Sequence, residues 1–197
     1  MSDQSPAPEA PATATVSRLN PATAFDLLVA ELGPEVIFDF HADPKKDRDP
    51  WFQVKPYEVE RVAELLKTDA RFSIDTLECL TGVDYPEQGR IVVVYHLYSY
   101  ALRHRIVMKA FLPREDPSLP TLVNVWSVAN WQERECYDLL GVLFEGHPDL
   151  RRLLLPDDWE GYPLRKDYAE REDYHGIPTT RPNPLELFQI SKAPAKS

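Results

Sequence analysis

The sequence predicts an α+β fold: a two-layer sandwich with a helix–strand–strand–helix–strand–strand–strand core on a mixed sheet, then a further helix and an extended C-terminal tail. Three observations predict it. The chain has 197 residues, 43% of them hydrophobic, which suffices for one domain with a real core. Apolar residues at helical spacing alternate with β-prone runs in the order just given. The run IVVVYHLY, residues 91–98, is apolar at successive positions, as expected of a central strand shielded on both faces.

Residues 1–20, MSDQSPAPEAPATATVSRLN, hold little that could be buried to offset the entropy of ordering, and read as a disordered leader. Asn20 and Pro21 supply a cap and a first-turn proline. Phe25, Leu28, Val29 and Leu32 then share one helical face before Gly33-Pro34 stops the helix. Val36–Phe40 and Trp51–Lys55 are short β-prone runs joined by the polar segment HADPKKDRDP, a hairpin-like pair with a long connection. Pro56 opens a second helix with Val59, Val62, Ala63 and Leu66 on its inner face. Three β-rich runs follow, Arg71–Leu80, Arg90–Tyr98 and Arg103–Leu112, the first two separated by TGVDYPEQG. The next helix is expected to be capped by Ser127 and stopped by Gly141 in a left-handed conformation. These elements place one α+β domain at residues 21–147.

Residues 148–197 are rich in proline and lack periodicity, so an extended tail is expected there. It nevertheless carries Tyr162, Leu164, Tyr168, Tyr174, Ile177, Leu185, Leu187, Phe188 and Ile190, more apolar content than a solvated linker needs. A tail of that composition suits the surface of a larger partner, which it would wrap.

The formal charge of −10 disfavours nucleic acid and direct adsorption to anionic lipid. No run reaches the ~18–20 apolar residues of a membrane span, and no signal peptide is evident, so an intracellular chain that meets membranes only through another protein is expected. Cys79 and Cys136 form no CxxC pair, which speaks against a disulfide or an iron–sulfur cluster held by this chain alone. Neither GxGxxG nor GxxxxGK[ST] occurs, so the usual phosphate cradles are missing.

The stretch ERECYDLLGVLFEGHPDLRRLLL, residues 133–155, concentrates the chemistry. A catalytic reading pairs Cys136 with His147, with Glu133, Glu135 or Asp138 as acid or base. The carboxylates around Cys136 oppose it by suppressing the thiolate. A metal site is weakened by the eleven-residue separation of Cys136 and His147 across a helix stop. A solvated helix face with an Arg134–Asp138 pair explains only a few tenths of a kcal/mol. The charges stand among Trp126, Trp131, Tyr137, Leu139 and Leu140, which favours an interface between subunits, with Glu133, Arg134, Glu135 and Asp138 paired within the fold or across the seam.

Glu133-Arg134-Glu135, Asp138, Gly141, His147-Pro148 and the basic, leucine-rich continuation containing Arg151 form an ordered set. Together with NVWSVANWQ before it and LLLPDDWEGYPLRKDY after it, the set resembles the C subunit of bacterial NADH:quinone oxidoreductase, respiratory complex I, over roughly Phe25 to Tyr168. The chain departs from that family at Tyr162, where histidine is common, and at Cys136, where a small apolar residue is common. The resemblance implies a peripheral-arm protein that has no active site and binds no cofactor or metal itself, the FMN, iron–sulfur clusters and quinone residing on other subunits. It further implies the large D subunit of the complex as main partner, other peripheral-arm subunits beside it, and a peripheral position on the cytoplasmic side of the inner (plasma) membrane. Arg165, Lys166, Asp167 and Tyr168 are then expected to dock the tail on the D subunit. Two alternatives stand beside it: the equivalent subunit of a related membrane-bound hydrogenase, and a stand-alone thiol enzyme using Cys136 and His147.

Overall fold

A computed structural model describes residues 19–43, 49–169 and 172–179. Most of the leader (1–18) and the tail anchors Leu185, Leu187, Phe188 and Ile190 lie outside the described residues. The elements follow as α1 (Pro21–Leu32), β1 (Ile37–His41), β2 (Trp51–Val54), α2 (Val59–Thr68), β3 (Thr76–Tyr85), β4 (Arg90–Ser99), β5 (His104–Pro113), β6 (Ser118–Pro120), α3 (Ala129–Leu140), β7 (Leu143–Glu145), β8 (Asp173–Tyr174) and β9 (Ile177–Pro178). Among them, no helix is long and apolar enough to cross a membrane.

The first five strands make one sheet in the order β1-β2-β5-β4-β3. β2 and β5 run parallel while the other neighbours are antiparallel, so the sheet is mixed, as expected. The Asn20 side chain accepts from Ala22 N–H at 3.1 Å, starting α1 where a proline needs no intrahelical donor of its own. Gly33 ends that helix at φ 95°, and its N–H still donates to Val29 O. In α2 the buried residues are Val59, Val62, Ala63 and Leu66, the four at the predicted spacing, entered through a 3₁₀ turn at Pro56–Glu58. Leu19, placed in the leader by sequence, packs partly buried against the core.

Two strand assignments change. The strand expected over Arg71–Leu80 begins at Thr76 and continues through Thr81-Gly82-Val83 to Tyr85, so only the turn after it breaks the run. Gly82 reads as punctuation in the sequence, but it marks a close approach: a Cβ there would fall on Leu140 Cδ1 and 3.2 Å from Cys136 Sγ of α3. The second change concerns β4. Its alternate residues Ile91, Val93, Tyr95 and Leu97 join the main core beneath the helices. On the opposite face, Val92 and Val94 form with Val107 a smaller cluster under Trp51 and Phe111, with no helix packed on it among the described residues. Both faces of the strand are buried, as predicted, but the second only by its own neighbours.

α3 lies across β3 and is entered differently from expectation. Ser127 makes no side-chain cap; the cap position is Val128, and the chain winds in through turns that begin at Leu122. Beyond Pro148 the chain forms no further domain among the described residues, only the short β8–β9 pair.

Candidate functional site

α3 directs its charged residues to two sides. Glu133 belongs with Ala129, Cys136 and Leu140 on the side turned to the sheet, at spacings of four, three and four residues. It is fully buried. Its carboxylate accepts from Leu122 N–H at 2.7 Å and from the Thr121 hydroxyl at 2.5 Å, and so fastens the chain leaving β6 to the helix. Among the described residues no cation bonds to it, and burial pushes its pKa up to about 7 against the pull of Thr121 and Leu122. The Tyr95 hydroxyl is also buried, has no hydrogen-bond partner among the described residues, and is raised by burial first and Glu133 second.

Arg134 and Asp138, one turn apart, do not form the pair that a solvated helix face would use. Arg134 donates from Nε to the Arg151 carbonyl and from Nη2 to the Arg152 carbonyl, each at 3.1 Å, and its guanidinium lies 5.3 Å from the Trp131 ring. Asp138 accepts from three consecutive backbone donors, Leu153, Leu154 and Leu155, at 3.0, 2.7 and 2.9 Å. Its other oxygen accepts from Arg152 Nη1 at 2.8 Å. Burial pushes the Asp138 carboxyl upward, but the three N–H groups and the guanidinium outweigh it, and the net pKa is lowered. Arg134→Ala would therefore strand two backbone carbonyls, whereas the buried acid Asp138 has Arg152 as its cation.

Arg152 is the hub that sequence reasoning missed. It also donates to the Asp138, Trp159 and Gly161 carbonyls at 3.1, 3.0 and 3.2 Å, and so ties α3 to the 151–161 loop. Gly141 closes the helix at φ 76°, ψ 32°, the left-handed conformation predicted for it. A Cβ at Gly141 would meet the Tyr162 ring at 2.5 Å. The Tyr162 ring lies 4.8 Å from the Arg165 guanidinium and 5.6 Å from that of Arg152.

The tail residues expected to dock on a partner engage this chain. Arg165 Nε donates to Leu140 O at 2.7 Å, and Leu164 N–H to Leu139 O at 3.0 Å. Lys166 N–H donates to Asp84 at 2.8 Å. Asp167 pairs with Arg114, which also donates to both oxygens of Asp84, at 2.7 and 3.0 Å. Tyr168 packs its ring near Gly161. Residues 162–168 are thus clasped to α3 and to the end of β3, an arrangement that Asp84 and Arg114 give no hint of in sequence.

The remaining signature residues are peripheral to the clamp. Glu135 is exposed. His147 accepts from Asp149 N–H through Nδ1 at 3.0 Å, which leaves Nε2–H to donate to Asn130 O at 3.3 Å. Pro148 sits in the following turn, and the exposed Arg151 donates to Asp149 at 3.0 Å. Cys136 Sγ faces Gly82 on β3, and burial pushes its thiol up to about 12. Cys136 is thus a buried thiol with a raised pKa and both His147 ring nitrogens are engaged, neither of which favours the thiol-enzyme alternative. Among the described residues, no group of three or more His, Cys, Asp or Glu side chains is placed to hold a metal.

Three exposed apolar side chains accompany this network: Trp131 (59% exposed) on α3, Leu154 (63%) on the loop fixed by Asp138, and Leu164 (54%) beside the Arg165 clasp. Polar bonds immobilise the backbone while the apolar groups face outward, an arrangement suited to presenting a preorganised surface.

The family model described as "Respiratory-chain NADH dehydrogenase, 30 Kd subunit" matches residues 52–174, which hold the sheet's central strands, α3 and the clamp. The NADH-quinone oxidoreductase C subunit of Chloroherpeton thalassium is 41% identical over 182 residues, covering 89% of this chain and 73% of that protein. Its namesake in Chlorobium phaeobacteroides is 41% identical over 78% of this chain and 92% of its own length. That of Geobacter metallireducens is 45% identical over 62% and 78%. Among solved structures, the trypsin-resistant fragment of Nqo5 is 28% identical with a TM-score of 0.54, covering 66% of this chain and 98% of the fragment. A chain of the archaeal membrane-bound sulfane sulfur reductase shares the fold, with a TM-score of 0.61 at 24% identity over 75% of this chain and 85% of that one. Relatives named for NADH-quinone oxidoreductase do not favour the membrane-bound hydrogenase alternative. With more than half its length matched by the family model and relatives of one name along most of it, the chain belongs to the respiratory-chain NADH dehydrogenase 30 Kd subunit family, that of the NADH-quinone oxidoreductase C subunit.

Proposed function

We propose that this chain is a structural component of the peripheral arm of a proton-pumping NADH:quinone oxidoreductase, without a redox group or active site of its own. Its role is to brace the D subunit, which helps form the quinone pocket. Electron transfer and quinone reduction tolerate little displacement of their reacting groups, so a rigid neighbour contributes to rate without touching substrate. FMN, iron–sulfur clusters and quinone belong to other subunits. Attachment to the cytoplasmic face of the inner (plasma) membrane runs through the assembly, and a chain of net charge −10 gains nothing from nucleic acid or anionic headgroups.

The observation that carries this reading is the exposure of Trp131, Leu154 and Leu164 on backbone held by Arg134, Asp138, Arg152 and Arg165. Covering each such side chain is worth about 2 kcal/mol, and little ordering entropy is lost because the segments are already fixed. A Trp131→Asp/Leu154→Asp double variant tests it. Both positions face outward, so the domain should keep its melting temperature to within a few degrees while copurification with the D subunit is lost. A variant that folds normally and still copurifies at the wild-type level rejects the surface.

A further inference from the structure

The sheet ends on β3, which pairs with β4 alone among the described residues and so presents a free edge from Thr76 to Tyr85. Two observations fix which of its main-chain groups point outward. Leu80 N–H donates to Gln132 Oε1 of α3 at 2.7 Å, so it faces away from β4. On the far side of β4, Pro113 stands opposite Arg90 and has no N–H, while Arg114 N–H donates to Gly89 O at 3.0 Å. Arg90, Val92 and Val94 therefore turn their main-chain groups toward β3, to Tyr85, Val83 and Thr81. Both lines leave Leu80, Gly82 and Asp84 facing outward. The main-chain groups of Gly82 and Asp84 have no partner among the described residues.

Edge strands are ordinarily guarded, because an unpaired row of this kind templates another strand. β1, at the opposite edge, is guarded: it has five residues, its register shifts between Phe38 and His41, and Asp39 sits at φ 51°. β3 keeps an unbroken register from Cys79 to Tyr85, and CLTGVDY holds no proline and no lysine. Its single charge, Asp84, is buried and bonded to Arg114. The flanks of the edge suit a strand as well. Toward the helices it borders a small hollow lined by Gly82, Gln132, Leu139 and Leu164 among others, in which Glu135 is the charged residue. Glu135 is exposed, and no cation pairs with it among the described residues. On the other face stand Val83 and Tyr85, 36% and 42% exposed. Leu164 also belongs to the exposed set formed with Trp131 and Leu154, so the edge and that surface are continuous.

We propose that the neighbouring subunit seated on Trp131, Leu154 and Leu164 also adds a strand to β3, an extended segment of about five residues that bonds to the main chain of Gly82 and Asp84. The proposal rests on the reading of that surface as the seat of the D subunit and specifies how the subunit engages it. The chemistry of the segment follows from the flanks of the edge. Alternate residues point to opposite faces, so apolar side chains meet Leu139 and Leu164 on the helical side and Val83 and Tyr85 on the other, with a lysine or arginine opposite Glu135. Main-chain pairing gives such a contact its affinity, and the flanking side chains select the segment.

Hydrogen–deuterium exchange resolved to single amides, in the intact detergent-solubilised assembly and in the full chain alone, tests this. In the chain alone, Gly82 and Asp84 should exchange quickly, and Thr81 and Val83, bonded to β4, slowly. In the assembly, exchange at Gly82 and Asp84 should slow by about ten-fold or more. Glu135→Lys, at an exposed position where folding is not at stake, sets like charges face to face and should speed those two amides in the assembly by about five-fold. Rapid exchange at Gly82 and Asp84 in an assembly that retains the D subunit overturns the added strand and leaves the reading of the surface standing. Recovery of the chain without that neighbour overturns both. The proposal also falls if the two amides are already slow in the chain alone, since the chain then covers its own edge, or if Glu135→Lys leaves their rates unchanged.

Discussion

Replacing Asp138 by alanine should be the most damaging single change to the clamp. The carboxylate is fully buried and serves Leu153, Leu154 and Leu155 N–H together with Arg152 Nη1. Its removal strands a partly buried guanidinium and three backbone donors at once. Breaking a buried pair in this way costs about 3–5 kcal/mol. For a chain of this size, each kcal/mol lowers the melting temperature by about 2–4 °C, so a fall of about 6–20 °C is expected. Asp138→Asn keeps the shape and one acceptor but loses the charge, and should fall between. The pH dependence supplies an internal control. The native Asp138 carboxyl is held below its ordinary 3.8, so its stabilisation is fully present above that value and is lost as pH falls through the native pKa. Urea unfolding midpoints of wild type and Asp138→Ala should therefore differ most at pH 7 and converge in acid. A difference below about 1 kcal/mol at pH 7, or one that does not change with pH, would refute the reasoning.

Glu133 should act in the opposite sense. Its carboxyl rises from an ordinary 4.5 to about 7 on burial, so the native state binds the extra proton. Stability is then greatest below pH 4.5 as far as this group is concerned, and about 3 kcal/mol is lost as pH rises through 7. Glu133→Gln should flatten the change in urea midpoint between pH 5 and 8; an unaltered slope would count against a lone buried carboxyl. Gly141→Ala places a side chain at φ 76° and against the Tyr162 ring, which should cost at least about 1 kcal/mol, and a raised melting temperature would contradict the assignment. Arg114→Ala removes the link between Asp84 and Asp167, so limited proteolysis should cut near residues 162–168 sooner while the sheet stays protected; unchanged cleavage would argue against the clasp.

How readily each part is legible in the sequence follows from where its signals lie. α1 and α2 are announced locally: a cap, a proline, a terminal glycine, and four apolar residues at the right spacing, all within a dozen positions. β3 is misplaced from sequence because a glycine inside a strand and a glycine in a turn look alike, and only the presence of Leu140 and Cys136 above Gly82 tells them apart. Ser127 offers a cap that the turns from Leu122 make unnecessary. Glu133, Arg134 and Asp138 stand out as charges among aromatics, yet their partners do not. Those partners are chiefly backbone donors and carbonyls at residues 122 and 151–155, and such groups carry no residue-specific mark. Arg152 could be found by asking which cation near the leucine run reaches a buried Asp138. The Asp84–Arg114 pair, thirty residues apart, could not be found that way, since it depends on the register of β3 with β4 and β5.

If the chain is a brace with a preformed contact surface, it should never be found far from the protein it supports. Affinity purification of the tagged full chain from detergent-solubilised membranes, followed by mass spectrometry and size determination, tests that most directly. Recovery within a large assembly containing the D subunit and the flavin and iron–sulfur subunits, at comparable stoichiometry, is the predicted result. Recovery of the chain alone as a monomer, with substrate turnover of its own, would contradict it.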